Sequence, residues 1–400
     1  MTEQRAWVWL QEEVKLKPEK ALTLLRAFGS VQGILEAEPA RLKAAAALSI
    51  GQTAALRRRS FKRTDEILRL CKAQNIRILT LHDADYPQRL RNIFDPPLVL
   101  YVRGRLPDLN RLPAITVVGP REASPYGVDV ARQIGWQLSQ AGTVVVSGMA
   151  KGIDSAAHRG ALLGGTPTVA VFGTAIDVCY PKENVQLMRD ILQNGCLISE
   201  YPPGAVTGRS HFPRRNRIMS GLSLGTVVAE APAKSGSLIT AEFAAEQGRD
   251  VFAVPGSIRA KDSEGANKLI QSGAKLVTCG ADILEEYQHL FPQTLNLEQL
   301  RQRKPEQTPD SFVPIAAVLD RKPPEKRPQP PAAPAAPEPR DPVHRAILEA
   351  LKGGKRQADE LAAATGLSAS QVLTALTMLE LNRSVRQLPG QYYELNESCL

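Results

Sequence analysis

The sequence predicts an α/β protein whose centre is a doubly wound parallel sheet. Between residues 112 and 290, short β-branched runs end in glycine or other turn residues and are followed by helical stretches. The runs are apolar without alternation, which is typical of strands buried on both faces. Strands that alternate with helices in this way form a Rossmann-like domain. The predicted strands are Ile115–Val118, Val144–Val146, Thr168–Phe172, Leu197–Ser199, Thr226–Ala229, Val251–Val254 and Lys275–Val277.

Residues 1–75 are predicted to form an all-helical domain, because leucines recur at helical spacing and end at Gly29-Ser30. The segment Leu24–Ser30 resembles helix-hairpin-helix (SAM-like) modules of DNA repair proteins. However, Lys17-Pro18-Glu19 stands where those modules carry a Gly-x-Gly hairpin. We therefore favour a protein-docking or structural role for this domain over DNA contact. Residues 76–111 are predicted to be a connecting segment that packs on the core.

The C-terminal third of the chain divides into a linker and a small domain. Residues 296–340 are rich in proline and alanine, a composition that neither packs a core nor holds a helix. Residues 341–400 show a helix, a helix-turn-helix and a strand pair around Pro389-Gly390, which predicts a winged-helix domain. The presumed recognition helix, Gln371–Leu381, carries no lysine or arginine. The sequence therefore leaves open whether this domain binds DNA or protein.

Bulk composition favours an anionic partner and the cytoplasm. The 400 residues carry a formal charge of +9, and nucleic acid is the commonest partner of such a surplus. No run of about 18 apolar residues is present, so we expect no transmembrane span. Acidic residues interrupt the N-terminal stretch, which does not resemble a signal peptide. The five scattered cysteines suggest neither a disulfide framework nor a metal site, and we expect no cofactor.

Ligands of open α/β sheets bind outside the carboxyl ends of the strands, so the residues that follow each predicted strand are the candidates for a site. Glycine and small hydroxyl residues at these turns let backbone N–H groups approach an anion. Here they are interleaved with cations, which turn formation does not require. The candidate DNA-binding residues are Gly119, Arg121, Ser124, Ser147, Gly148, Lys151, Gly173, Lys182, Arg209, Phe212, Arg214, Asn216, Arg217, Ser235, Gly236 and Ser237.

The segment Tyr201–Met219 is the most informative, because it places Phe212 among arginines. Cations that track phosphates and an aromatic face for bases are how proteins hold single strands. For Phe212 we favour stacking slightly over a core position. For Asn216 and Arg217, the sequence favours DNA contact and a structural role equally. Two further residues have structural interpretations: Asp154 is expected to cap a helix, and His158 to be a satisfied buried histidine.

Several enzyme classes are disfavoured by missing motifs. The sequence has no GxGxxG with an acidic ribose anchor and no GxxxxGK[ST], which argues against an NAD site and a P-loop ATPase. No Cys/Ser-His-Asp set with plausible roles is apparent. Glu230 is a candidate acid without an evident partner. We therefore expect a binding protein, not an enzyme.

The middle of the chain resembles the DNA-processing protein A family (DprA/Smf). The resemblance rests on three segments, at residues 147–158, 212–223 and 235–241: SGMAKGIDSAAH, FPRRNRIMSGLS and SGSLITA. It implies a protein of natural transformation that binds and protects incoming single-stranded DNA and helps to load a RecA-type recombinase. It also implies a homodimer joined through the Rossmann-like domain.

The resemblance assigns roles to four residues. It implies that Arg121 lines the DNA pocket, that Lys182 and Arg209 are further basic positions, and that Phe212 inserts between bases. In Gly119-Pro120-Arg121, proline stands where the family usually has serine or threonine. Proline lacks a backbone N–H and a hydroxyl, which removes a phosphate donor at position 120.

Two other functions compete with this interpretation. The first is a nucleotide N-glycosidase or phosphoribohydrolase on a related fold, with Glu230 and the loop Lys234–Ser237 as its nearest approach to an active site. The chain lacks the Pro-Gly-Gly-x-Gly-Thr pattern of those enzymes. The second is a transcriptional regulator that binds DNA through the winged helix, which the absence of lysine and arginine from the recognition helix disfavours.

Overall fold

The computed structural model describes residues 3–295, 297, 342–381, 384–388 and 392–395. These residues fall into two compact units, one within residues 1–320 and the other within residues 321–400. The predicted linker 296–340 lies outside the described residues, apart from Leu297.

The first unit begins with six helices, which confirms the helical N-terminus. They share one apolar core with the sheet, and Trp7 and Trp9 are buried in it. The Gln11 side chain joins the two parts, because its Oε1 accepts from the Val99 amide at 2.9 Å and its Nε2 donates to the Glu200 carbonyl at 3.1 Å. The helices are α1 (Glu3–Glu12), α2 (Pro18–Phe28), α3 (Val31–Glu36), α4 (Pro39–Ala46), α5 (Ile50–Arg58) and α6 (Lys62–Ala73).

A nine-stranded sheet forms the centre of this unit. Its strands are β1 (Arg77–Thr80), β2 (Val99–Gly104), β3 (Ala114–Val118), β4 (Val144–Ser147), β5 (Thr168–Phe172), β6 (Gly195–Ser199), β7 (Gly225–Val228), β8 (Asp250–Ala253) and β9 (Lys275–Leu276). Their order across the sheet is β1-β2-β6-β5-β4-β3-β7-β8-β9. Strands β3 to β9 are parallel throughout, which confirms the predicted Rossmann-like sheet.

Residues 76–111 do more than connect, since they supply strands β1 and β2. Both pair antiparallel, with Arg77 opposite Val102 and Tyr101 opposite Ser199. Strand β2 covers the edge of β6, whose backbone groups would otherwise lack partners. The sequence pattern did not show this, because an apolar run does not reveal which strand it pairs with.

Helices cover both faces of the sheet, and side-chain alternation along the strands divides the core in two. Ile115 and Val117 of β3 face one cluster, while Val144 and Val146 of β4 face the other. The remaining helices of this unit are α7 (Gln88–Arg91), α8 (Pro125–Gln140), α9 (Ile153–Gly164), α10 (Val185–Asn194), α11 (His211–Leu222), α12 (Gly236–Glu246), α13 (Glu264–Gln271) and α14 (Gly280–Leu284).

The second unit is a winged helix, as predicted. Its helices are α15 (Pro342–Leu351), α16 (Ala358–Thr365) and α17 (Ala369–Leu381), and its strands are β10 (Arg356–Gln357), β11 (Val385–Leu388) and β12 (Tyr392–Leu395). The strands form a sheet in the order β10-β12-β11. Ile347, Leu361 and Leu376 are buried in its core.

The described residues contain no single helix that is long and apolar enough to cross a membrane. Ala358–Thr365 and Ala369–Glu380 meet that criterion only as a pair, across a bend of 116°.

Candidate nucleic-acid interface

A cavity of about 570 Å³ lies at the carboxyl ends of β3 and β7. The chain runs from β3 outward to β6 on one side and returns to β7 on the other, so the cavity marks the point where the strand order reverses. Open α/β sheets bind ligands at this position. Its lining includes Gly119, Arg121, Asp154, Phe212, Arg215, Asn216, Lys234, Ser235, Gly236 and Ser237.

Arg121 lies at the mouth of the cavity beside two aromatic rings. Its guanidinium carbon is 5.3 Å from the centre of the Phe212 ring and 5.9 Å from that of Tyr180. The two ring centres are 5.4 Å apart, at an interplanar angle of 49°. Arg121 is exposed, and it makes no ion pair with any residue that the structure describes. Its charge is therefore available to an anionic ligand.

Phe212, the second residue of α11, is half-buried, so it is neither a core residue nor fully exposed. It packs over Gly173, where a Cβ would approach Phe212 Cδ1 to 2.8 Å, so a larger residue at 173 would displace the ring. Tyr180 is 47% exposed, and the sequence analysis did not single it out as a site residue. The signal was present, since Tyr180 precedes Pro181-Lys182 and so sets an aromatic beside a cation, as at Phe212.

Another part of the cavity wall is the start of helix α12. The Ser235 hydroxyl accepts from the Ser237 amide at 3.3 Å and caps the helix. Gly236 is exposed, with open space where a side chain would be. Asn216 donates from Nδ2 to the Gly236 carbonyl at 3.3 Å, which ties α11 to α12. Free N–H groups at the start of a helix attract anions.

Two buried charges that the sequence analysis did not select, Arg215 and Asp154, also line the cavity. Arg215 Nη1 donates to the carbonyls of Gly148, at 2.9 Å, and Val171. A Cβ on Gly148 would lie 2.2 Å from Nη1, so this glycine makes room for the guanidinium. Burial lowers the pKa of Arg215 to about 10, and Asp154 opposes that shift.

The prediction that Asp154 caps a helix is wrong. The N-cap of α9 is Gly152, and Asp154 lies within the first turn. Its carboxylate is buried and accepts from the Ala150 amide at 3.3 Å. Burial raises the pKa of Asp154, and Arg215 lowers it.

Two of the candidate hydroxyls serve the fold. Ser147 is buried, and its hydroxyl donates to the Val117 carbonyl at 2.7 Å. Ser124 caps α8 and binds Glu230, whose Oε2 accepts from the Ser124 amide at 2.9 Å. Glu230 therefore has a partner, contrary to the sequence-based expectation.

The cations of the Tyr201–Met219 segment divide into buried and exposed groups. Arg217 donates from Nη2 to Glu200 Oε1 at 2.8 Å and from Nε to Asp95 Oδ2 at 2.9 Å. Burial alone would lower the pKa of Arg217, but Glu200 and Asp95 raise it. The side chain is only 5% exposed, which favours a structural role for Arg217. Arg214 approaches Glu200 at 3.4 Å, yet its side chain is 50% exposed.

The remaining candidate cations are on the surface. Lys151, after β4, pairs with Glu183, after β5, at 2.8 Å, which joins the two loops. Lys182 and Arg209 are exposed, and neither has an ion-pair partner in the described part of the chain.

Comparison with known families finds one match for the segment that contains the sheet and a second match for the C-terminal domain. The family described as DNA recombination-mediator protein A matches residues 77–288, and the DprA winged helix domain matches residues 330–391. The first match spans more than half of the chain. The chain belongs to the DNA recombination-mediator protein A family. This family's match begins at the first residue of β1, so the two antiparallel strands are part of the family domain.

Members of the DNA recombination-mediator protein A family from several bacteria are similar to this chain. The DNA processing protein DprA of Streptococcus pneumoniae is 49% identical over 206 residues, which cover 52% of this chain and 72% of the relative. Protein Smf of Synechocystis is 36% identical over 324 residues, or 80% of each chain. The X-ray structure of the Streptococcus pneumoniae protein matches with a TM-score of 0.63 at 39% identity and covers 72% of this chain and 98% of that chain.

His158, in α9 of the family domain, is buried, and the pH dependence of stability tests this position. Its Nδ1 lies 2.8 Å from Thr168 Oγ1, and burial, assisted by Arg215, lowers its pKa to about 3. The unfolded chain protonates His158 near pH 6.5 while the folded protein does not, so this contribution to stability is lost as the pH falls below about 6.5. Between pH 7 and pH 5 the loss is about 2 kcal/mol.

We expect His158→Asn to remove the part of the pH dependence of stability that His158 contributes. Urea unfolding at both pH values should show the wild-type free energy of unfolding falling by about 2 kcal/mol more than that of the variant. Equal falls in the two proteins would contradict a neutral, buried His158.

Proposed function

We propose that the protein binds single-stranded DNA in the cavity at the carboxyl edge of the sheet. The observation that carries this proposal is the Arg121 guanidinium, which has no ion-pair partner among the described residues and lies beside the Phe212 and Tyr180 rings. A cation for phosphates beside aromatic faces for bases is the combination by which proteins hold single strands without reading their sequence. The rings can reach only bases that are not stacked in a duplex.

The surrounding groups suggest a division of roles within the site. Arg121 would contact a phosphate, and Phe212 and Tyr180 would stack on bases. The exposed start of α12 at Gly236 would offer its N–H group and the positive end of the helix to a second phosphate. Lys182 and Arg209 would extend the cationic wall, since both are exposed and unpaired within the described residues.

We further infer that the protein acts on incoming DNA in natural transformation, protects it and helps a RecA-type recombinase to load. The family description, a mediator of DNA recombination, supports this role. We place the protein in the cytoplasm and expect a homodimer joined through the Rossmann-like domain. Size-exclusion chromatography with light scattering tests the dimer.

A binding function is favoured over the N-glycosidase or phosphoribohydrolase alternative. That alternative needs Glu230 as a catalytic acid, but the carboxylate is buried and accepts from the Ser124 amide at 2.9 Å. This contact gives Glu230 a structural role at the start of α8.

Fluorescence anisotropy with matched single- and double-stranded oligonucleotides tests the proposal. We expect tighter binding to single strands, because only unpaired bases reach Phe212 and Tyr180. Each phosphate contact adds about −0.7 to the slope of log K against log salt for single strands, so three cations predict a slope near −2. Equal affinity for the duplex would refute the assignment of the aromatic pair.

A further inference from the structure

A run of positive charge lies where helix α5 meets helix α6. Residues 57–63 read Arg-Arg-Arg-Ser-Phe-Lys-Arg, so five of seven residues are cations. Arg57, Arg58, Arg59 and Lys62 are all exposed, and we call these four residues the basic run. Residues 1–75 carry 14 lysines and arginines against 8 carboxylates. Two thirds of the net charge of +9 therefore belongs to the helical N-terminus.

The neighbouring carboxylates already have partners. Asp65 forms an ion pair with Arg5 at 2.6 Å, and Glu66 forms one with Arg63 at 2.9 Å. The Glu13 carboxylate accepts from the Thr64 amide at 2.9 Å. None of the four cations of the basic run makes an ion pair with another described residue. Their charge is consequently uncompensated.

The backbone at Arg59 indicates that the run does not serve the turn alone. Arg59 is left-handed, with φ 45° and ψ 41°, a conformation that costs an L residue about 1–2 kcal/mol and favours glycine or asparagine. Cations in the last turn of α5 would stabilise that helix, but Arg59 lies beyond it. Neither helix α5 nor the turn therefore requires an arginine at position 59.

The chemistry of the run fits phosphates and not bases. The one aromatic residue within 57–63, Phe61, stacks on Trp9 with ring centres 5.1 Å apart. Arg5 covers the same ring at 4.4 Å. Phe61 is thus engaged within the protein, and the basic run presents charge without an aromatic face.

Helix α6 leads from the basic run to the loop that carries Arg209. Leu70 near its end lies 4.0 Å from the position that a Cβ of Gly204 would take, in the loop that carries Arg209. The eight residues from Lys62 to Leu70 span about 12 Å of helix. We propose that the basic run is a second contact for the sugar-phosphate backbone, which holds the part of a long strand that leaves the cavity. This inference rests on the proposed function.

The test compares two charge-matched variants of the full chain. The first is Arg57→Gln/Arg58→Gln/Arg59→Asn, in which asparagine suits the left-handed position. The control is Lys17→Gln/Arg26→Gln/Lys43→Gln, which removes three exposed cations from the same helical region. Both are titrated with oligothymidines of about 6 and about 40 nucleotides across a salt series, since single-strand sites span roughly 4–16 nucleotides. Circular dichroism verifies that both fold.

We expect the basic-run variant to bind the short oligonucleotide like the wild type. With the long one, its affinity at low salt should fall about tenfold and the salt slope should flatten by about 2, since three phosphate contacts are lost. The control should keep the wild-type slope. An equal effect in both variants overturns the inference. An unchanged affinity of the basic-run variant for the long oligonucleotide also overturns it, provided that the wild type binds both lengths.

Two other results would also overturn it. Loss of binding to phosphatidylserine vesicles, with DNA binding intact, would assign the run to lipid headgroups. Loss of a complex with an acidic protein, with DNA binding intact, would assign it to that protein. Failure of the wild type to bind even the short oligonucleotide would instead refute the cavity site itself.

Discussion

Replacing Arg121 by alanine is expected to weaken single-stranded DNA binding by about 10- to 100-fold, because a hydrogen bond to a charged group contributes roughly 1.5–3 kcal/mol. The guanidinium has no ion-pair partner among the described residues, so its removal leaves no buried carboxylate behind and should not destabilise the fold. The loss should therefore appear in affinity alone.

Anisotropy with a short oligothymidine measures this effect, and Arg105→Ala is the matched control. Arg105 is also exposed, but its amide donates to the Gly195 carbonyl at the amino end of β6, on the opposite edge of the sheet. We expect the control to bind like the wild type. Equal losses in the two variants would mean that general charge, and not the cavity, holds the strand.

Phe212→Ala should cost roughly 1–3 kcal/mol of binding free energy per stacked base. Because Arg121 and the Phe212 ring are in contact at 5.3 Å, the double variant should lose less than the sum of the single losses. Strictly additive losses would show that the two side chains act at separate sites.

The second large effect concerns stability. Arg217→Ala should reduce the free energy of unfolding by about 3–5 kcal/mol, because it leaves the buried Glu200 carboxylate without its closest partner. Glu200 is 8% exposed and lies 2.8 Å from Arg217 Nη2. Native domains are stable by only about 5–15 kcal/mol, so this is a large share of the total. The urea midpoint should fall while the slope of the transition stays unchanged.

Arg214→Ala is the control for this prediction. Arg214 approaches the same carboxylate at 3.4 Å, but its side chain is half exposed, and such pairs contribute about 0–1 kcal/mol. A similar destabilisation by both variants would contradict the assignment of Arg217 as the buried partner. A folded Arg217→Ala protein with greatly weakened DNA binding would indicate that Arg217 contacts DNA.

The sequence predicted the parallel part of the sheet closely, because a strand buried on both faces must be a short apolar run, whatever its neighbours are. It also predicted the winged helix. Strands β1 and β2 were missed as members of the sheet, since they join it only through the pairing of β2 with β6, about a hundred residues away. The apolar core that the N-terminal helices share with the sheet was also not apparent, because it joins residues that are far apart along the chain.

For the site, the sequence by itself determined the edge of the sheet and the residue types there, since turns after parallel strands must meet at one edge. Only the tertiary structure decided which cations are available. Arg121 and Arg217 are both arginines in the sequence, but Asp95 and Glu200 form ion pairs with Arg217 and not with Arg121. Asp95 lies 122 residues from Arg217 along the chain. Burial and ion pairing depend on such distant neighbours, which no local pattern contains.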